Sequence, residues 1–565
     1  MEELIEKIFH PSGQPSWKEA LAYIDEVKAL GLEPGEDLRF YGGVRDTDGR
    51  AVGRELHELR AAFDDWCRKN RVVTFADMLY DVEQRLLHDR AFRERWQARV
   101  HDLMVDEGQD TTGQAMRILT KLAAPQHRLT IVGDTDQLLY RFAGATPEAN
   151  LYDGFEAQYS AGNMVMLTVN YRSTRTIIDA CSRLIANNYR VDDARAGAPY
   201  DACYMKQVVA RDDAPEGLPI SFTMYPDAAS EAAAVVMEIE RQIDADGRDP
   251  GEFFVAGRTR AQLGYLEGPL VQSGIPYINL AGSSFFGMKA IKDITAYMRL
   301  GYDEDSAAFE RVYNIASNVN MHPWGARKGE YCPHRYLGAA FVQACYDGNT
   351  GKPEYKWRWR AAKQRRAFVP GVEDLDNFVS RLHDRYTMDT LPQVIDFIVK
   401  ECYEDHLRAT EGFLEEGDGG VFEDIETLKE LAGRFDNPQD FFAHVEEAEK
   451  AAEAAKGSDW TGHVVLSTVH RLKGRERPVV FGIGWCEGVD AKGRPAGLLP
   501  HTYSLREPEQ RGVLPTGGMG RIEDERDIAF VLVSRAQEEV HLSAPESYHK
   551  CSMGPSRFIY EMGLL

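Results

Sequence analysis

The 565-residue chain is short of positive charge, of paired cysteines and of long apolar runs, and each shortage excludes something. Lys and Arg total 66 against 90 Asp and Glu, a net charge of -24, so the protein does not coat nucleic acid by bulk electrostatics. A local basic track is still compatible with that total. The eight cysteines (Cys67, Cys181, Cys203, Cys332, Cys345, Cys402, Cys486 and Cys551) include no Cys-x-x-Cys pair, which removes the usual signs of a zinc site or a disulfide framework. No run approaches the roughly 18 to 20 apolar residues of a membrane span. The acidic start MEELIEKIF has no basic stretch leading into an apolar core. The expectation is a cytoplasmic protein with no membrane partner.

What is present is an ordinary globular composition, 43% hydrophobic and 28% charged, in a chain long enough for three or four domains. The most informative stretch runs from His101 to Thr112. Its short apolar segment Leu103 to Val105 ends in Asp106-Glu107, which reads as a buried strand delivering two carboxylates to its C-terminal tip. In open α/β sheets ligands sit at that tip. One carboxylate there suits a hydrated Mg²⁺ held against nucleotide phosphates, the other an attacking water. A solvated turn is the bland alternative. Two further apolar runs repeat the pattern: Leu129 to Val132 ends in Gly133-Asp-Thr-Asp-Gln137, and Met164 to Val169 ends in Asn170-Tyr-Arg-Ser173. Three strands bringing polar groups to their ends within about 70 residues point to a nucleotide site more strongly than any one of them.

Taken in order, residues 1–72 alternate helical patterns with turns, and Thr74 is placed to cap a helix leading into the Asp106-Glu107 strand. Strand-like runs at Ile220 to Met224 and Phe253 to Ala256 alternate with helices to about residue 303. Between 304 and 461 strand signals vanish; the stretch from Glu401 to Lys456 holds 17 acidic and 5 basic residues, which predicts solvated helix faces. Strands are expected again at Val464 to Ser467, Val479 to Ile483, Ala529 to Val533 and Val540 to Ser543, with a loop over 493–520. A helical insertion thus splits one α/β domain. The stretch Lys356 to Arg366 interleaves basic residues with Trp357 and Trp359; it suits phosphates and stacked bases, or equally an exposed basic helix face.

In this order and spacing the sequence resembles the superfamily 1 DNA helicases of the UvrD, Rep and PcrA type. Motif II resembles Val105-Asp-Glu-Gly-Gln-Asp110, with Gly108 where a larger residue often stands; motif III resembles Gly133 to Ala145 and motif IV Asn170 to Thr174. Gly257 to Gln262 and Phe285 to Asp293 look like signatures of the second motor domain, Ser467 to Glu476 like motif V, and Glu525 to Ala536 like motif VI. The resemblance implies an α/β fold of RecA-like P-loop NTPase motor domains with helical accessory subdomains. The expected division is 1–72 for the remainder of a first helical accessory domain and 73–165 for an incomplete first RecA-like domain. The second RecA-like domain would take 166–303 plus 462–565, and the helical insertion 304–461.

The same resemblance assigns roles. Asp106 would hold Mg²⁺ and Glu107 activate water; Gln137 would sense the γ-phosphate of ATP. Tyr171 would stack on adenine, Arg172 and Arg535 reach the γ-phosphate, Glu476 bind the ribose and Gly474 lie near the phosphates. Tyr140 and Phe142 would stack DNA bases, although Phe142 stands where Trp is usual, and His470 would contact the DNA backbone. Standing alone, Arg172 or Arg535 would read as a surface ion pair and Tyr171 as a half-buried ring. The implied activity is ATP-driven 3′-to-5′ translocation on single-stranded DNA, opening duplex DNA.

One element of such a site has no counterpart. The string Gly-x-x-x-x-Gly-Lys-[Ser/Thr], whose backbone N–H groups and lysine cradle phosphates, does not occur; the nearest stretch, ending Gly351-Lys352-Pro353, has Tyr346 in place of the first glycine. The expectation is that a separate polypeptide or a missing N-terminal segment supplies the P-loop, without which the chain is inactive. A non-enzymatic remnant that binds DNA or a partner is the contrasting reading.

Overall fold

The protein is described by a computed structural model covering residues 2–8, 17–33, 35–36, 52–124, 128–139, 145, 151, 155, 159, 163–190, 200–282, 284–303, 306–313, 315, 369–404, 406–407, 420–455, 460–505 and 522–565. The chain forms two compact units. The first comprises 1–171, 178–214 and 504–531; the second comprises 172–177, 215–503 and 532–565.

The first unit opens with helices Glu2–Ile8, Trp17–Ala29 and Gly53–Asn70. They bury Ile5, Ile24, Val27, Leu59 and Phe63 against one another, as the helical periodicity predicts. A buried ammonium ties this bundle to the next helix along the chain: Lys28 Nζ lies 2.7 Å from Asp64 and 2.5 Å from Asp77. That helix, Phe75–His88, starts where expected, Thr74 and Asp77 exchanging side-chain and backbone hydrogen bonds in a capping box. Strands β1 (Leu103–Val105) and β2 (Leu129–Ile131) then pair in parallel.

β1 is not the buried strand that the apolar run predicts. Met104 is 79% exposed, while Leu103 and Val105 are half-buried. The run Met164 to Val169 likewise contributes only Val169–Asn170 to a strand. An apolar run records the preference of its own side chains and does not specify what packs over them.

The second unit is built on six parallel strands: β3 (Ser221–Tyr225), β4 (Phe253–Gly257), β5 (Tyr277–Asn279), β6 (Val464–Thr468), β7 (Arg477–Gly482) and, beyond two shorter strands, β10 (Ala536–Pro545). Their spatial order is β3-β10-β7-β4-β6-β5. β4 is buried along its whole length, as a central parallel strand must be. In this sheet β6 pairs directly with β4, although more than 200 residues separate them. Among the described residues from 304 to 461 all named elements except one are α-helices: Ser306–Val312, Val369–Arg385, Leu391–Ile398, Val421–Ala432 and Pro438–Ala454. The exception is the π-helical turn Val399–Tyr403.

Two further expectations are corrected. Ala529 to Val533 belongs to helix Ile522–Val533, because a short run that is buried all round is compatible with either element. The predicted loop over 493–520 contains, in its described part, strand β9 (Pro495–Gly497) and helix Thr502–Leu505. β9 joins β8 (Cys486–Val489), β12 (Cys551–Pro555) and β11 (Ser547–Tyr548) in an antiparallel sheet ordered β9-β8-β12-β11. Among the described residues no helix is long and apolar enough to cross a membrane.

Two glutamates are sealed inside the second unit. Glu231 accepts from Gly484 N at 2.9 Å and Ser543 Oγ at 2.6 Å, and Glu267 from Phe285 N at 2.9 Å and Asn279 Nδ2 at 3.0 Å. Burial raises each to about 7 despite those hydrogen bonds. An acid held neutral by the fold contributes most below its unfolded value near 4.5, and that contribution is lost as pH rises to about 7. Glu267→Gln is therefore expected to be more stable to unfolding than wild type at pH 8, by on the order of 2 kcal/mol, and not at pH 5. Circular-dichroism melts at the two pH values check this.

Candidate nucleotide and DNA site

In the first unit the ladder between β1 and β2 runs one step past the strands: Val132 N donates to Val105 O at 2.8 Å and Gly108 N to Val132 O at 2.8 Å. Between these bonds the chain must turn sharply, and Glu107 does so in the left-handed region (φ 54°, ψ 43°). A non-glycine residue there is a strained conformation of the kind concentrated at functional sites. Asp106 stands exposed at the tip and accepts the Glu107 N–H at 2.9 Å. The glycine that replaces a larger residue at 108 has a local reason. A Cβ there would come within 2.3 Å of Ile131 Cγ2 on β2.

Gln109, wholly buried, joins the two loops: its Nε2 donates to Glu107 at 2.8 Å and its Oε1 accepts from Asp134 N at 2.9 Å. Asp134 in turn holds Gln137 Nε2 at 2.8 Å. Lys206 closes this cluster, its ammonium bonded to Asp134 and 2.9 Å from Asp136, whose other oxygen accepts from Tyr189 OH at 2.5 Å. Burial opposes the charge on Lys206, but Asp136 and Asp134 override it and hold the ammonium above its usual range. Burial works against Asp134 as well; Lys206 outweighs it there and keeps that carboxyl low, whereas Asp136 is left raised.

The second unit gathers Arg172, Glu476 and Arg535. Arg172 Nε bonds the Glu476 carboxylate and its Nη1 donates to Ser534 O at 3.1 Å. Gln537 Nε2 donates to the other Glu476 oxygen at 3.1 Å. Burial would raise Glu476, yet the Arg172 hydrogen bond and charge, Gln537 and the Arg535 charge hold it below its usual value. Arg535 is 2% exposed, its Nη2 donating to Ser534 Oγ at 3.0 Å. Gly474 occupies φ +75° with open space where a Cβ would point, so glycine serves the turn. Tyr171, in the first unit, is largely exposed.

A second set of groups lies at the C-terminal ends of the parallel strands of this unit. Arg258 and Arg260 follow β4; His470, Arg471 and Lys473 follow β6 on and just after helix Val469–Leu472. Arg471 Nη1 is anchored to Leu280 O, just beyond β5, at 2.7 Å. In a chain of net charge -24 this is a local concentration of positive charge on one sheet edge. Tyr140, Phe142 and the Lys356 to Arg366 stretch lie outside the described residues.

Comparison with known proteins shows the family. The family model "UvrD/REP helicase N-terminal domain" matches residues 2–159, and "UvrD-like helicase C-terminal domain" matches 165–322. The chain belongs to the UvrD/Rep/PcrA-type helicase family. Among its relatives, DNA helicase II of Escherichia coli (strain K12) is 28% identical, over 96% of this chain and 69% of that protein. The ATP-dependent DNA helicase PcrA of Bacillus subtilis (strain 168) is 26% identical, over 96% of this chain and 67% of that protein. The putative ATP-dependent DNA helicase YjcD of the same organism is 26% identical, over 90% and 60% respectively.

Three residues of this helicase that take part in its clusters were not singled out by sequence reasoning. Gln109 was in view, inside the Asp-Glu-Gly-Gln-Asp string. Gln537 lies two residues after Arg535 and had only proximity to recommend it. Lys206 had no local signal, being 72 positions from Asp134. Among the described residues no group of three or more His, Cys, Asp and Glu is placed to hold a metal. Mg²⁺ does not need one, since it keeps several waters and takes one or two carboxylates beside substrate phosphates. The exposed Asp106 carboxylate fits that requirement.

Proposed function

We propose that the chain works as an ATP-dependent 3′-to-5′ DNA helicase that translocates on single-stranded DNA, its phosphate cradle supplied by a separate polypeptide. The observation that carries the catalytic part is one cluster in each unit: in the first, Glu107 and Gln137 linked through Gln109 and Asp134 with Asp106 next to Glu107; in the second, Glu476 bonded to Arg172 and held low by the charge of Arg535. A module that only binds DNA has no use for either set. In this reading Asp106 would hold Mg²⁺, which would neutralise phosphate charge when bound. Glu107 takes the proton of the attacking water, Gln109 fixing its carboxylate. The arginines meet charge spreading over the transferred phosphoryl oxygens, and Tyr171 offers an exposed ring to adenine. The basic edge formed by Arg258, Arg260, His470, Arg471 and Lys473 takes the DNA phosphates.

The separate cradle is supported by the apolar surface of the first unit. Phe75 (88% exposed), Met78, Leu79 and Val82 recur at helical spacing along the solvent face of helix Phe75–His88, and Met104 and Val132 stand exposed on and beside the parallel pair. Parallel strands are ordinarily covered on both faces, and such surface marks a binding site.

The purified chain is expected to bind single-stranded DNA and to show negligible DNA-stimulated ATP hydrolysis. Hydrolysis should appear on adding a P-loop-bearing polypeptide that co-purifies with it from the native source. Robust hydrolysis by the chain alone, abolished by Glu107→Gln, would overturn the separate cradle and leave the motor standing. DNA binding with no hydrolysis in either preparation would leave a binding module.

A further inference from the structure

The hairpin β11–β12 turns on His549 and Lys550, both in the left-handed region at φ 45° and 65°. Two-residue turns of this kind normally use Asn-Gly or Gly-Gly, because a side chain resists the conformation. What the turn accomplishes is the placement of His549. Its ring stacks on Tyr548 with centroids 3.9 Å apart, and its Nε2 lies 3.1 Å from Thr427 Oγ and 3.5 Å from Tyr265 OH. Thr427 belongs to helix Val421–Ala432 of the helical insertion; Tyr265 and the hairpin belong to the α/β core.

Other polar contacts surround this one. Tyr548 OH donates to Glu423 Oε1 at 2.9 Å, as does Thr259 Oγ at 3.0 Å, and Tyr265 OH donates to Glu430 Oε2 at 2.5 Å. The second oxygen of Glu423 is buried without a hydrogen-bond partner, and Asp424 beside it is 6% exposed. The helix therefore turns Asp424 and Thr427 inward alongside Ile425, Leu428 and Leu431 of the apolar core, with Glu423 half-buried beside them and Glu430 exposed at the rim.

The cations around the seam do not neutralise it. Lys429 lies 2.7 Å from Asp396 and also bonds Glu426, and Arg434 pairs with Asp227 at 3.1 Å. Arg258 and Arg260 act on Glu423 and Asp424 through charge alone, and less strongly than burial. Burial, then Lys429 and Lys550, pushes His549 down to about 3, so it stays neutral across the useful pH range.

We propose that the His549 hairpin tip is a latch holding helix Val421–Ala432 of the insertion against the α/β core, closed while Glu423 and Asp424 are protonated and loosened as they ionise. Burial, reinforced by Glu423, raises Asp424 to about 7, and burial also raises Glu423. A raised acid favours the docked state below its undocked value near 4, and that preference drains away as pH climbs toward 7. The proposal does not depend on ATP hydrolysis.

Hydrogen exchange on the full chain, corrected for intrinsic rates, tests it. Between pH 5 and pH 8, protection of residues 421–432 relative to the central strand β4 should fall by about tenfold or more. Glu423→Gln with Asp424→Asn should flatten that change, and His549→Ala should lower protection at both pH values. A wild-type ratio that does not vary with pH would overturn the proposal, whether or not the double variant folds. So would a pH-dependent loss that survives in the double variant, or full protection in His549→Ala.

Discussion

Arg535→Ala is expected to lower kcat for ATP hydrolysis by about a thousandfold in a hydrolysing preparation, the magnitude typical of an arginine that stabilises phosphoryl-transfer charge. Three features of the second unit support a loss this large. The guanidinium is buried and fixed to Ser534 Oγ, so its position is set before the reaction begins and no reorganisation is required at the transition state. It acts on Glu476, to which Arg172 is also bonded, so the two arginines lie in one electrostatic cluster. The planar fork matters as well as the charge, and Arg535→Lys should recover little activity. Steady-state kinetics with a parallel nucleotide-binding titration would check this. A loss confined to binding, or a fall in kcat of less than about tenfold, would remove Arg535 from the chemistry.

Glu107→Gln should lower kcat by about a hundredfold to ten-thousandfold while leaving nucleotide affinity nearly unchanged, as befits loss of a general base. The substitution is nearly isosteric, and the amide oxygen can still accept from Gln109 Nε2, so the loop conformation is expected to survive. A variant that binds nucleotide tightly without turning it over also separates two readings of this residue. A purely structural Glu107 would lose stability and affinity together. A base would lose turnover alone, and single-turnover measurements beside a thermal melt distinguish them.

The two residues differ in how far their settings were legible in the sequence. Asp106 and Glu107 could be placed at a strand tip from a three-residue apolar run and its abrupt end, and the structure puts them there. The capping of helix Phe75–His88 by Thr74 was equally local, one side chain and one backbone three residues on. Burial was less readable. Met104 sits in an apolar run yet faces outward, and Arg535 is charged yet buried. Neither property follows from a residue's own chemistry, because each depends on which other segments arrive around it. Ala529 to Val533, the last residues of helix Ile522–Val533, read as a strand for a related reason: a short run with almost every residue buried leaves no periodicity to distinguish helix from strand.

The sequence by itself determined the family, the order of the motifs, the interruption of the second α/β sheet by helices, and the residue types available for phosphate chemistry. These are properties of neighbouring residues and their spacing, and local spacing survives in the linear string. Only the tertiary structure decided that Lys206 would clamp Asp134 and Asp136 from 72 residues away, and that Arg172 would find Glu476 across 304 residues. It likewise decided that a histidine in a strained turn would reach the insertion helix. Contacts at such separations depend on where the sheet and helices bring their ends together, and no local pattern encodes that meeting.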